Sequence, residues 1–223
     1  MGKDKNDEVN IGDKIAGFLQ RNRKLLFVLL IIIAGGVASS VTFFLIRGVL
    51  EKKAIAKVEI LEQRKNELGS IDESVNHAEV EALLKEINDF TPSAFGYAAA
   101  KAYSLEADIY FSRSEWEKAE KTWMLAARKT PKIYLAPMSL FNAAVAAEEQ
   151  GKLEAALEYL NQSLDFEGIN PVAARARFNI GRIHEERYNK DSAREVYSEL
   201  IEKNPGSPWA NLAQNRLIIL EKN

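Results

Sequence analysis

The chain has 223 residues, of which 47% are hydrophobic and 28% charged, and it contains no cysteine and two histidines. The hydrophobic fraction is that of a folded protein, whereas the lack of cysteine excludes disulfide scaffolds, thiolate metal sites, cysteine nucleophiles and lipoprotein anchors. A net charge of −2 gives no sign of nucleic-acid binding, and His77 and His184 are too far apart in sequence to suggest a multi-histidine metal centre. We therefore expect no cofactor, no metal and no nucleic-acid partner.

Residues 25–46 read LLFVLLIIIAGGVASSVTFFLI, a run of 22 residues with no charge and 17 apolar side chains. As a helix this segment would be about 33 Å long, enough to cross a bilayer core of about 30 Å. It is too long for a cleavable signal peptide, and no small-x-small cleavage site follows it. The segment is therefore predicted to be a transmembrane helix that is retained as an anchor.

Basic residues flank this segment equally on both sides, so a simple count does not orient it. They are Lys14, Arg21, Arg23 and Lys24 before the segment and Arg47, Lys52, Lys53 and Lys57 after it. We favour a cytoplasmic N-terminus because three of the four cations before the segment adjoin it in a short tail, and because a long following domain can translocate regardless of its charge. The expected location is the inner membrane, single-pass, with the C-terminal domain in the periplasm.

The tail, residues 1–24, contains apolar residues at helical spacing, with Ile11, Ile15, Phe18 and Leu19 interleaved with polar ones. This pattern indicates either a short amphipathic helix on the cytoplasmic surface or a continuation of the membrane helix.

Small residues four apart occur within the membrane segment, a spacing that lets two helices approach closely. They are Gly35, Gly36, Ser39 and Ser40. We regard this face as a candidate helix contact, and hence as a hypothesis for a homodimer.

Residues 47–92 are predicted to form a helical stalk and degenerate packing helices. A stripe of Ala54, Val58, Leu61 and Leu68 follows the membrane segment, with Lys65 interrupting it. A second helix over residues 72–90 is expected to stop before Thr91-Pro92.

Two ladders of small residues then recur with a period of 37. One consists of Ala107, Ala144 and Gly181, and the other of Ala119, Ala156 and Ala193. Each unit reads as two helical stretches with a turn between them, near residues 113–115, at residues 151–152 and at residues 189–191. The two ladders predict three stacked helix pairs.

These residues resemble the tetratricopeptide repeat (TPR) family, whose 34-residue pattern alternates small and aromatic positions and ends in proline. The first unit matches the pattern at Tyr103, Ala107, Tyr110, Ala119, Trp123, Ala126 and Pro131. The resemblance implies an all-α protein in which residues 93–223 form about three TPR-like helix pairs and a C-terminal capping helix. In this cap, over residues 209–220, we expect Leu212, Leu217 and Leu220 to face the core.

In this family the first helix of each pair, helix A, lines a concave surface, and the resemblance places Phe141 with Phe178 and Asn142 with Asn179 at equivalent positions. Carboxamides can pair with a peptide backbone and Phe offers a flat apolar contact. An alternative is that the Phe side chains complete the core between helices. The candidate peptide-binding residues are Leu105, Phe141, Asn142, Arg175, Phe178, Asn179 and Arg182.

No GxGxxG, P-loop, GxSxG or HExxH motif occurs, and His184 occupies a position where the repeat has an aromatic residue, so we expect no enzyme. The order of tail, membrane segment, stalk and TPR domain resembles the YfgM-type ancillary subunits of the bacterial Sec translocon. That resemblance implies a periplasm-facing adaptor with translocon subunits and periplasmic chaperones as partners. Two alternatives remain: a structural component of an envelope or motility assembly with one fixed partner, and an anchored TPR adaptor that faces the cytoplasm.

Overall fold

The computed structural model describes residues 11–69, 73–166 and 168–222, and these ranges contain helices and no strand. By contact density the chain divides into two compact units, one up to Leu50 and one from Glu51. The α-helices are α1 (Ile11–Leu68), α2 (Glu73–Phe90), α3 (Gly96–Ser112), α4 (Trp116–Lys129), α5 (Leu135–Glu149), α6 (Leu153–Leu164), α7 (Ala173–Glu186), α8 (Lys190–Lys203) and α9 (Pro208–Lys222). A short 3-10 helix, Thr91–Ser93, follows α2.

The unit up to Leu50 consists, in its described part, of the first turns of α1. Among the described residues α1 is the one helix that is long and apolar enough to cross a membrane. The side chains of residues 27–47 are all exposed. The helix continues without a break through residues 24 and 25, so the described part of the expected amphipathic segment is the beginning of α1 and not a separate helix. Residues 1–10 of the predicted tail lie outside the described residues.

The last turns of α1 belong to the core of the second unit. Val58 and Leu61 are fully buried and pack in one cluster with Leu83 and Ile87 of α2 and Leu105 of α3. The stripe that the sequence places on the stalk therefore fills a core with α2 and α3.

Charged side chains hold the same part of α1 against α3. Lys65 Nζ donates to Asp108 Oδ2 at 2.5 Å, and Lys101 Nζ lies 2.6 Å from Glu62 Oε1. Lys65, which interrupts the apolar stripe in the sequence, therefore has a partner at the edge of the core. Helix α1 ends at Leu68, and Gly69 follows in the left-handed conformation with φ +67°.

Three helix pairs follow in the predicted order, α3 with α4, α5 with α6 and α7 with α8. All six small residues of the two predicted ladders are buried. Small side chains let the two helices of a pair approach closely, and larger apolar residues fill the remaining space. Prolines at positions 92, 131, 171 and 205 lie after helices α2, α4, α6 and α8, where a continuing helix would lose hydrogen bonds.

The turn inside each pair has the same backbone geometry. Ser114, Gly151 and Tyr188, again 37 residues apart, all adopt the left-handed conformation, with φ of 59°, 70° and 61°. In the third turn the N–H of Tyr188 donates to Glu185 O at 2.9 Å, and that of Asn189 donates to His184 O at 2.8 Å. The first two turns repeat this pair of bonds, so each helix A ends in a Schellman motif.

The C-terminal helix α9 packs on the last pair, as expected for a cap. Tyr197, Leu200, Ala213 and Leu220 form one buried cluster with their neighbours. The prediction for Leu220 is confirmed and Leu217 is partly buried, but the prediction for Leu212 is wrong, since its side chain is 45% exposed. The buried face of α9 is instead made by Ala210, Ala213 and Leu220, and these side chains let the helix lie close to α8.

Candidate peptide-binding face

The two equivalent asparagines are half-buried on helices A. Asn142 lies on α5 and Asn179 on α7, and neither carboxamide has a hydrogen-bond partner among the described residues. A carboxamide with unused donors and acceptors can pair with the backbone of an incoming segment. These two residues are therefore the candidates that the structure leaves available for binding.

Two of the predicted face residues lie in the core. Leu105 and Phe141 are each 2% exposed. Leu105 packs with α1 and α2, and Phe141 packs between α5 and α7. For these two residues the prediction of a binding contact is wrong, and for Phe141 the alternative of a core position holds.

Arg175 rests on a platform of aromatic rings at the start of α7. Its guanidinium carbon is 4.7 Å from the ring centroid of Phe141 and 5.6 Å from that of Trp209. Phe178 is half-buried, and its ring lies 5.5 Å from that of Trp209 and 5.6 Å from that of Tyr197. Stacking on two rings orients the cation while leaving it exposed. Trp209 was missed in the sequence because it lies in the capping helix.

Arg182 does not present a free positive charge. Its guanidinium donates to Glu148 and lies 3.6 Å from Glu186. Burial raises the pKa of the Glu148 carboxyl, even though Arg182 acts in the opposite direction. Because two carboxylates lie against it, Arg182 adds no net positive charge to the face.

A second ion pair joins α7 to α9. Arg216 donates to both carboxylate oxygens of Glu185, and Tyr197 Oη donates to Glu185 Oε1 at 2.6 Å. Burial opposes ionisation of Glu185, but the hydrogen bonds from Arg216 and Tyr197 outweigh it and hold the pKa of Glu185 below its usual value. The cap is therefore fixed to the last helix pair by a charged contact as well as by apolar packing.

The register of the repeat extends into α9. Leu212, Arg216 and Ile219 stand 37 residues after Arg175, Asn179 and Arg182. Leu212 and Ile219 are 45% and 43% exposed. The capping helix α9 thus continues the 37-residue repeat as if it were the helix A of a fourth pair. Two exposed apolar side chains, Leu212 and Ile219, stand in it at positions equivalent to Arg175 and Arg182.

Cavities open on another surface, where consecutive pairs are connected. Two of them measure about 550 and 570 Å³ and share Pro131, Asp165 and Phe166. Neighbouring cavities of about 320 and 510 Å³ adjoin them through Met124 and Ile169. No sequence motif indicated these cavities. The one related signal is that the 37-residue period is three residues longer than the 34-residue TPR pattern, which suggested longer connections between helix pairs.

The structure offers no metal or catalytic cluster in its described part. No group of three or more His, Asp or Glu side chains there is arranged to hold a metal ion. His184 is half-buried on α7, and burial, with the charge of Arg187, lowers its pKa. A half-buried imidazole beside an arginine fits a packing position.

The small residues of the predicted membrane segment are exposed on α1. Gly35, Gly36, Ser39 and Ser40 all face away from the rest of their unit, and a Cβ added at either glycine would meet no atom within 4 Å. Their role in a helix contact stays a prediction.

Comparison with known proteins agrees with the fold. The tetratricopeptide repeat family model matches residues 105–167 and 141–208. A TPR repeat-containing protein of Treponema pallidum (strain Nichols) is 31% identical over 223 residues, which cover 93% of each chain. The chain belongs to the TPR repeat proteins. TPR domains are non-catalytic scaffolds that bind other proteins.

Among solved structures, this TPR protein is similar to a Podosopora anserina protein with nearly identical TPR-like repeats. The TM-score is 0.54 and the identity 11%, with 77% of this chain and 87% of the other covered. At this identity the similarity concerns the fold alone.

Proposed function

We propose that this TPR protein is a membrane-anchored scaffold whose helices A bind a segment of a partner protein. The observation that carries the proposal is the combination of two features in one chain. The first is an uncharged segment of 22 residues, 25–46, exposed from residue 27 onward. The second is a TPR unit with available carboxamides at Asn142 and Asn179. An exposed apolar run of this length is stable when lipid covers it.

The finer proposal is a periplasm-facing adaptor at the Sec translocon of the inner membrane, with translocon subunits and periplasmic chaperones as partners. It is supported by the resemblance to the YfgM-type subunits and by three cations, Arg21, Arg23 and Lys24, directly before the apolar run. Residues 1–69 carry 12 basic and 8 acidic side chains, whereas residues 70–223 carry 18 and 24. A basic anchor and an acidic repeat domain fit a scaffold whose domain stays clear of anionic lipid.

Orientation is tested by reporters fused after residue 223. Alkaline phosphatase is active in the periplasm and green fluorescent protein in the cytoplasm, so the two fusions serve as mutual controls. Phosphatase activity without fluorescence is expected. The opposite result would favour the cytoplasm-facing adaptor. That alternative is supported by the cations Arg47, Lys52 and Lys53 after the apolar run.

Binding on helices A is tested by a photocrosslinking amino acid at position 179 of the full-length protein in cells. Position 179 is preferable to 178, because the ring of Phe178 packs on Tyr197 and Trp209. The exposed Ser198 on α8 gives a matched control position.

Adducts with translocon subunits or periplasmic chaperones at position 179 and not at 198 are expected. A single stoichiometric adduct would favour the structural component of an envelope or motility assembly. Partner binding that is unchanged in the Asn142→Ala, Asn179→Ala double variant would reject the face itself.

A further inference from the structure

Neighbouring cavities join into one groove along the edge where helix pairs are connected. The cavities of about 550 and 320 Å³ share Met124, Arg128 and Tyr159. Those of about 570 and 510 Å³ share Ile169. We name this surface the connection groove, lined by Met124, Arg128, Lys132, Tyr159, Asp165, Phe166 and Ile169. It leads from α4 and α6 around the loops to Met138 on α5.

The groove runs beside the two connections between helix pairs. Residues 130–134 join α4 to α5, and residues 165–172 join α6 to α7. Both connections contribute lining residues, such as Lys132 and Ile169.

The second connection is anchored at its end. Asn170 Nδ2 donates to Ser163 O at 2.5 Å, and Val172 N donates to Asn170 Oδ1 at 2.9 Å. These bonds tie the loop to α6 and to the start of α7. The groove wall beside Ile169 is therefore built into the fold before any partner arrives.

The walls of the groove carry opposite charges. Arg128 and Lys132 lie on the α4 side, and Glu158 and Asp165 lie on the α6 side. Within the described part of the chain, neither of these cations nor Asp165 forms an ion pair. Apolar side chains line the groove beside these charges, among them Met124, Tyr159 and Phe166.

We propose that the connection groove binds an extended segment of a partner protein that carries apolar side chains and charges of both signs. An α-helix is straight and about 10–12 Å wide, so it does not follow a groove that turns from α4 and α6 around the loops to α5. An extended chain bends at each residue, and its alternate side chains can enter successive cavities. Charges of both signs on the segment match the oppositely charged walls.

The connection groove is a second surface of the scaffold and does not require the carboxamides of helices A. It reaches Met138, which lies one helical turn before Asn142 on α5. A long segment therefore has a route from this groove onto the face of helices A.

The test uses the full-length protein in detergent and a phage-displayed library of random twelve-residue peptides. Peptides selected on the wild type are measured against three variants: Met124→Glu with Ile169→Glu, Arg128→Glu with Lys132→Glu, and Asn142→Ala with Asn179→Ala. Circular dichroism and thermal unfolding check that each variant is folded. The second variant exchanges exposed side chains only, so it keeps the test valid if the first does not fold.

We expect peptides with alternating apolar residues that bind the first two variants at least tenfold more weakly and the third variant unchanged. Loss in the third variant alone would overturn the connection groove and support binding on helices A. Equal binding to all variants, no selected peptide, or apolar residues at spacings of three and four, which indicate a helix, would also overturn the proposal.

Discussion

The ring of Tyr197 in α8 lies against the backbone of Gly181 in α7. A Cβ added to residue 181 would stand 2.8 Å from the Cδ1 and Cζ atoms of that ring. Both residues are buried, and the Tyr197 hydroxyl is held by Glu185. The ring therefore cannot move away without losing a hydrogen bond in the core.

This contact predicts that Gly181→Ala lowers the free energy of unfolding by about 1–2 kcal/mol, because the cost of overpacking exceeds the helix preference for alanine. Urea unfolding of the full-length protein in detergent measures the change. In a Tyr197→Leu background the same substitution should cost less. An equal or higher stability of Gly181→Ala would contradict the close contact.

The burial of α1 predicts a large difference between two neighbouring residues. Leu61 is fully buried and Ile60 is 53% exposed. Leu61→Ala should cost about 2–5 kcal/mol of unfolding free energy through lost burial and a cavity. Ile60→Ala should change it by less than about 0.5 kcal/mol. Similar small effects at both positions, in the same unfolding assay, would contradict the burial of Leu61 in the core.

The pair of Glu185 and Arg216 predicts a pH dependence. The folded state holds the pKa of Glu185 below its unfolded value. Its stabilising contribution is therefore present above the unfolded pKa and is lost as the pH falls through the folded pKa. Unfolding free energies measured from pH 6 to pH 3 should decrease more steeply for the wild type than for Glu185→Gln.

Glu148 is the matched comparison, because burial raises its pKa in the folded state. Its contribution has the opposite sign and lowers stability as the pH rises from the unfolded pKa through the folded pKa. Across that pH window the unfolding free energy of Glu148→Gln should therefore rise relative to that of the wild type as the pH increases. Parallel curves for both variants and the wild type would contradict the two charged contacts.

Tyr188 predicts a stabilising substitution. It has φ +61° and its side chain is 90% exposed, so it bears left-handed strain without a compensating buried contact. Tyr188→Gly should raise the unfolding free energy by roughly 0.5–1 kcal/mol, since glycine adopts this conformation without steric cost. The reverse change at an equivalent turn, Gly151→Ala, should lower stability. A destabilised Tyr188→Gly variant would show that the tyrosine ring makes a contact.

The repeat architecture follows from the sequence because its signals are local and recur. The small residues of the ladders, such as Ala107 and Ala144, mark where helices approach closely, and prolines mark where they end. The turn inside the first pair lies where it was expected, and the third begins two residues earlier, at Arg187. The shared left-handed position of the three turns was not predicted, because Ser114 and Tyr188 are not residue types that favour it and are held there by hydrogen bonds within the turn.

Periodicity, length and charge depend on residues close together in the chain, so they were enough to predict a helical repeat protein with an uncharged apolar segment. Which side chains remain available for binding depends instead on how the helices pack. Arg177 pairs with Glu199 and Asn204, and Arg182 pairs with Glu148. Partners separated by more than twenty residues meet only after the helices pack, so the availability of each charge was set by packing and not by sequence position.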